Sequence, residues 1–157
     1  MKIFYNDKKI SDGEFLNVKD VQVEPEIKLR TNPNKIYTLI LHDPNAVGGD
    51  KIHWLRANIT NNDINSGTDI LPYVGPAPPP NSGMHHYIFE LYEKKIENIP
   101  NLNNDRRELT EFKKEFDINE PIDKIEFISK NENGGKRRQT RKRKRRINNR
   151  KRRTRHK

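Results

Sequence analysis

The sequence predicts a mostly-β fold, a β-sandwich with one or two short helices and a disordered C-terminal tail. Three observations carry this. Short β-branched and aromatic runs alternate with loops rich in Gly, Pro and Asn. Only one segment has helical periodicity. After Ser129 the composition changes abruptly to Lys and Arg. The chain has 157 residues, a length that favours a single domain of the usual ~100–200 residues.

In order along the chain, Lys2–Tyr5 and Glu26–Leu29 read as short alternating strands. Ile36–Leu41 (IYTLIL) has the density of apolar and β-branched residues of a central strand and ends at His42-Asp43-Pro44. His53–Ile59, His85–Tyr92 and Lys124–Ser129 follow as further strands. Arg106–Phe116 places Leu109, Phe112 and Phe116 on one stripe of a charged helix. The connections 45–50, 61–67 and 74–83 carry the turn formers. In the last of these, Pro76, Pro78, Pro79 and Pro80 fix φ and remove donors, which makes a stiff surface loop. Trp54 and Tyr73 are expected to be packing groups.

The charge divides the chain. Residues 136–157 hold 15 Lys and Arg and no Asp or Glu, leaving 17 basic against 22 acidic residues in 1–135. The body is near −5 and the tail near +15, so the overall pI of 9.8 and mean hydropathy of −1.13 reflect the tail. The expected domain is 1–130. Residues 131–157 are expected to be a disordered polybasic tail, opening with the hinge Asn131–Gly135 and containing one aliphatic residue, Ile147. The absence of cysteine excludes disulfide and thiolate chemistry. The N-terminal stretch is not apolar enough for a signal peptide, and no segment reaches the ~20 apolar residues of a membrane span. The reading is an intracellular protein of cytoplasm or nucleus, or one associated with a particle.

Strand alternation puts His85 and Tyr87 on one face, with His86 on the other. If the strands ending at Asp43, starting at His53 and starting at His85 are neighbours, one end of the sheet gathers a carboxylate, two imidazoles and a phenol. Two imidazoles and a phenol can donate to an anion, while the carboxylate orients a ring or accepts from an ammonium group. Such a set suits a phosphate monoester or a zwitterionic headgroup. His42 and His86, facing away, are expected to be ordinary surface residues. Ser66 and Ser82 lie in loops without a nucleophile-elbow signature, and no metal, cofactor or catalytic reaction is expected.

The order and content of these segments resemble the phosphatidylethanolamine-binding protein family. The resemblance runs through YTLILHDPN (37–45), IHWLRANI (52–59), SGT (66–68) and LPYVGPAPPPNSGMHHYIFELYEK (71–94). It implies a PEBP-like β-sandwich and a pocket for phosphate groups of phospholipids or phosphorylated residues, formed by Asp43, His53, Gly75, Pro79, His85 and Tyr87. Family members act mostly as regulators or inhibitors, without an established reaction, so the implied partners are a phosphate-containing small ligand or phospholipid headgroup, or a kinase or other phosphoprotein. The sequence departs from the family pattern at DPNAV (for DPDxP), at GMHHY (for GxHRY) and at Ala77 (for a glycine). The basic tail stands where eukaryotic members have a flanking C-terminal helix, which implies a more open pocket.

The tail is expected to bind nucleic acid or another polyanion by counterion release, with steep salt dependence. The residues concerned are Lys136, Arg137, Arg138, Arg141, Lys142, Arg143, Lys144, Arg145, Arg146, Arg150, Lys151, Arg152 and Arg153. Anionic membranes attract the same charges, and no aromatic residue interleaves them for base stacking. Two functional readings follow. One is a non-enzymatic binding or regulatory protein with a phosphate pocket. The other is a nucleic-acid-associated structural or packaging protein with a decayed pocket.

Overall fold

The strongest apolar run of the sequence becomes the centre of the fold: all seven residues of the strand Tyr37–Asp43 are buried. The computed structural model describes residues 1–102 and 108–131. In chain order the strands are β1 (Lys2–Tyr5), β2 (Lys8–Lys9), β3 (Glu14–Phe15), β4 (Glu26–Lys28), β5 (Tyr37–Asp43), β6 (Lys51–Ile59), β7 (Thr68–Leu71), β8 (Met84–Tyr92) and β9 (Asp123–Lys130). The helix α1 (Leu109–Glu115) precedes β9, and two 3-10 turns lie at Val18–Val21 and Ile64–Ser66. The fold is mostly β, as the sequence implies. The polybasic residues from Lys136 to Arg153 lie outside the described residues.

A six-stranded sheet of order β3-β9-β8-β5-β6-β7 and a three-stranded sheet of order β2-β1-β4 make up the sandwich. Their shared core holds Ile3, Tyr5, Ile27, Tyr37, Leu39, Leu41, Trp54, Tyr87, Phe89, Leu91 and Phe127. The other face of the large sheet is covered as well. There Ile40, Ile52, Leu55 and Tyr92 pack with Ile96, Leu102 and the Leu109 and Phe112 stripe of α1. Because β5 is covered on both faces, it is a continuous apolar run and not an alternating one. The two-residue strands β2 and β3 are too short to carry a pattern, and β7 (TDIL) buries only its last two residues and so shows no alternation.

β6 departs from simple alternation. Leu41 pairs with Trp54 but His42 pairs with Ile52, so His53 is an extra residue in β6. This bulge lets Lys51, His53 and Trp54 all contribute to the sandwich side. A second irregularity lies between Tyr37 and Leu39, where β6 contains Asn58 at φ +60. Asn58 uses its amide group to hold Ile96, donating to its carbonyl at 3.0 Å and accepting from its N–H at 2.8 Å.

Candidate functional site

The pleat of β5 turns Asp43 to the sandwich side, and that of β8 sends His85 and Tyr87 there while His86 faces outward. His85 Nδ1 meets Asp43 Oδ2 at 2.7 Å, with both residues buried. Asp43 Oδ1 accepts from the Asn45 N–H at 2.8 Å, and Asn45 Oδ1 accepts from the His86 N–H at 2.9 Å. Asn45 thus clips the β5 end to β8. An amide oxygen does this as well as a carboxylate, without placing a second negative charge beside the pocket.

His53 is fixed from its other edge. Its Nδ1 stands 2.9 Å from the Val74 carbonyl, which can only accept, so this nitrogen carries the proton. The His53 ring meets Tyr87 edge-on at 5.3 Å, and Tyr87 stacks on Phe127 at 5.2 Å. Asp43, His53, Pro79, His85 and Tyr87 line one cavity of about 210 Å³, together with Ala46, Val47, Lys51, Ala77 and Pro78. The structure therefore brings five of the six sequence-predicted pocket residues together. Gly75 does not line the cavity. A Cβ there would lie 2.8 Å from Gln22 Cα and 2.9 Å from the Val21 carbonyl oxygen, so the glycine lets the proline loop press onto the N-terminal turn. The Gln22 side chain, donating to the Pro76 carbonyl at 2.8 Å, and the Tyr73 hydroxyl, donating to the Val21 carbonyl at 2.6 Å, complete this strap.

Two further residues belong to the site. Lys51 sits opposite Asp43 in the β5–β6 ladder and lines the cavity. It lies two residues before His53, and that spacing was the available signal. Ser82 Oγ lies 2.9 Å from His85 Nε2 and donates to the Pro79 carbonyl at 2.7 Å. Its proton points away from the imidazole and Ser82 does not line the cavity, so it holds the ring and is not poised as a nucleophile. Among the described residues, no three His, Asp or Glu side chains converge at metal-ligand spacing.

The Tyr87 hydroxyl carries the chemical signature of the site. It is fully buried and makes no hydrogen bond of ordinary geometry in the protein, although the Asp43 carboxylate is near enough to act on it. Burial, and then the Asp43 carboxylate, hold its pKa well above the phenol range, so it remains a donor. An unpaired buried donor costs about 1–3 kcal/mol. Here it lines a cavity with the Lys51 ammonium group, the His53 ring and the His85–Asp43 pair, whose two ring nitrogens are taken by Asp43 and Ser82, so Lys51 and the hydroxyl are the groups left to meet an anionic oxygen. Two larger grooves, of about 410 and 390 Å³, lie elsewhere, but neither is lined by a buried polar group without a partner.

His42 corrects an expectation. It is 5% exposed and not a surface residue, because α1 and its flanking segments cover that face of β5. Its Nδ1 meets Asp50 Oδ1 at 2.7 Å, and its Nε2, buried without a hydrogen bond of ordinary geometry, stands 3.5 Å from Glu90 Oε2, an ion-pair separation. Glu90 also accepts from the Tyr92 hydroxyl and, at 3.0 Å, from Lys113 of α1. Burial works to lower the His42 pKa, but hydrogen bonding and charge from Asp50 and Glu90 outweigh it and raise the pKa above its ordinary value. Burial likewise opposes Glu90 ionisation, yet bonds from His42, Tyr92 and Lys113 bring its pKa down to about 2. His86 is half-buried, with Nδ1 3.5 Å from Glu126.

This two-sheet sandwich with an anion-suited cavity at one sheet end has relatives. The sequence model of the phosphatidylethanolamine-binding protein family matches residues 6–130, and the chain belongs to that family. A 26 kDa secreted antigen of Toxocara canis is 33% identical over 108 residues, covering 64% of this chain and 41% of that protein. The chain thus spans less than half the length of this relative. Among solved structures, the phosphatidylethanolamine-binding protein of Plasmodium vivax superposes with a TM-score of 0.63 at 19% identity, covering 82% of this chain and 83% of that one. A carboxypeptidase Y inhibitor, solved in complex with its cognate proteinase, superposes with a TM-score of 0.62 at 17% identity over 82% and 81%. These two likenesses establish the fold. Among the described residues, no helix is long and apolar enough to cross a membrane.

Proposed function

We propose that this chain is a non-enzymatic binding and regulatory protein whose cavity captures a phosphate-bearing group, either a headgroup or a phosphorylated segment of a partner such as a kinase. One observation carries the reading: the buried Tyr87 hydroxyl makes no hydrogen bond of ordinary geometry and borders a cavity with His53, His85 and Lys51. A phosphate oxygen would accept from that donor, while Lys51 balances its charge and the His53 ring lines the same cavity. At about 210 Å³ the cavity suits a headgroup more than a drug-sized molecule. A regulatory role without turnover accords with the family and with the inhibitor that shares the fold.

The 15 basic residues of 136–157 add a polyanion-binding segment, with nucleic acid among its targets. Their density also supports a second reading, a nucleic-acid packaging protein with an idle pocket. The two readings part on the pocket. An amide chemical-shift titration of the full chain with phosphoethanolamine should give saturable shifts around Asp43, His53 and His85, lost in His85→Ala. Shifts confined to 136–157, or shifts that survive in His85→Ala, would remove the pocket assignment and leave the packaging reading.

A further inference from the structure

The small sheet ends in an open edge. Its strand order is β2-β1-β4, so β4 has a partner strand on one side only. A groove of about 410 Å³ runs beside it, lined by residues 24–29 and by the turn at 62–65. That turn is hooked to the chain just after the strand. Asn62 Oδ1 accepts from the Thr31 N–H at 2.8 Å, and the Asn62 amide donates to the Thr31 carbonyl at 3.1 Å.

Ladder parity fixes which main-chain groups face the groove. The Ile3 carbonyl accepts from the Ile10 N–H at 3.0 Å, so the main-chain polar groups of Ile3 point toward β2. Ile27 stands opposite Ile3, and its own N–H and carbonyl therefore point away from β1. Among the described residues, no hydrogen bond crosses the groove to them. Such an edge can pair with another strand, and charged side chains usually prevent it. Here Pro25, Ile27 and Leu29 are buried, while Glu24, Glu26, Lys28 and Arg30 are exposed. The charges are not mixed. Two acids precede Ile27 and two bases follow it.

We infer that β4 pairs with the β4 strand of a second copy of this chain, antiparallel about a two-fold axis through Ile27, which joins the two small sheets into one. In that register Ile27 exchanges both main-chain hydrogen bonds with its counterpart, and Glu26 lies directly opposite Lys28 of the second copy, twice by symmetry. Glu24 and Arg30 continue the same order of signs. The neighbouring registers of the same parity fail. Centring on Pro25 sets Glu24 against Glu26 and lacks the proline N–H, and centring on Leu29 sets Lys28 against Arg30; like charges directly opposite destabilise a ladder. Within one copy Glu26 and Lys28 meet at 3.2 Å, both exposed, so little is lost when each turns to the other copy. A uniformly acidic or basic peptide would be repelled by half of this edge, whereas a second copy matches all of it. The inference is independent of what the cavity binds.

The test is sedimentation equilibrium of the full-length protein at physiological salt. So short an edge buries less than the ~1,000 Å² of a stable interface, so the concentration should run from ~10 μM to ~1 mM. Wild type should show a reversible monomer–dimer equilibrium. Glu26→Lys and Lys28→Glu each place like charges opposite one another and should weaken dimerisation roughly tenfold. Both side chains are exposed, so thermal unfolding should not change. Mixed in equal amounts, the two variants should dimerise with each other as tightly as wild type does, because position 26 of each then meets an opposite charge at position 28 of the other. A wild type that stays monomeric throughout, or variants that dimerise unchanged, would overturn the proposal. So would a Lys28→Glu variant that associates more tightly than wild type, since attraction between the acidic body and the basic residues 136–157 of another copy follows net charge and not register.

Discussion

His42 and Asp43 are neighbours in one strand, and the pleat sends them into opposite environments. Asp43 meets His85 beside an open cavity that the buried Tyr87 hydroxyl also lines. His42 meets Asp50 and Glu90 in a closed cluster that Tyr92 and Lys113 complete. Both sites pair an imidazole with carboxylate in nearly the same layer of the protein. Each holds one buried polar atom without a hydrogen bond, His42 Nε2 in the cluster and the Tyr87 hydroxyl at the cavity, and the difference lies in charge: His42 Nε2 faces the Glu90 carboxylate at 3.5 Å, whereas the Tyr87 hydroxyl borders a cavity. In the cluster, Glu90 collects three partners and gains stability from being charged. In the cavity, Tyr87 bears the cost of an unused donor. A polar set whose charges balance one another serves the fold, and a buried donor on a cavity wall is where a ligand would gain most.

Removing the charge at the centre of the closed cluster should give the largest effect. Glu90→Gln leaves His42 and Lys113 without their shared counter-charge, and breaking a buried pair costs about 3 kcal/mol. Chemical denaturation should show that loss, while phosphoethanolamine binding to the folded protein stays within twofold. A variant that kept its stability but lost binding would erase the distinction between the two sites. Gly75→Ala tests the strap behind the cavity. The added Cβ meets Gln22 and Val21 main chain, an overpacking that should cost about 2 kcal/mol. Its amide shifts should move along 18–22 and 73–79.

Tyr87→Phe should act in the opposite sense. Removing a buried donor that makes no hydrogen bond of ordinary geometry should leave stability unchanged or raise it by about 1 kcal/mol, while affinity for a phosphate headgroup falls about tenfold. A clear loss of stability in this variant would mean that the hydroxyl already has a structural partner, and the cavity would then be as closed as the His42 cluster.

These two sites differ in how far the sequence reveals them. The long strands were readable because their apolar residues are dense, and alternation alone was enough to put His85 and Tyr87 together. The bulge at His53 was not readable, since it depends on how β6 pairs with β5. Lys51 was accessible from its two-residue spacing to His53. His42 was misjudged because the rule that strands have one wet face was applied to a strand with none. The unbroken apolar run before it already indicated burial on both sides. What no local pattern supplies is that α1 folds back to bring Lys113, 23 residues after Glu90, onto its carboxylate.

The smallest effect is also the most diagnostic, because it concerns which protonation states the closed cluster prefers. The His42 pKa is raised in the fold, so its contribution is complete below its ordinary value of 6.5 and fades as pH climbs through the folded pKa. The Glu90 pKa is depressed to about 2, so its contribution is complete above its ordinary value of 4.5 and fades as pH falls toward 2. The stability difference between wild type and His42→Gln should therefore be greatest near pH 5.5 and shrink toward pH 9, by less than the Glu90→Gln loss. Denaturation curves across that range check it. A difference that grows with pH would mean that His42 is held neutral, as a donor to Asp50 alone, and that Glu90 is balanced entirely by Lys113 and Tyr92.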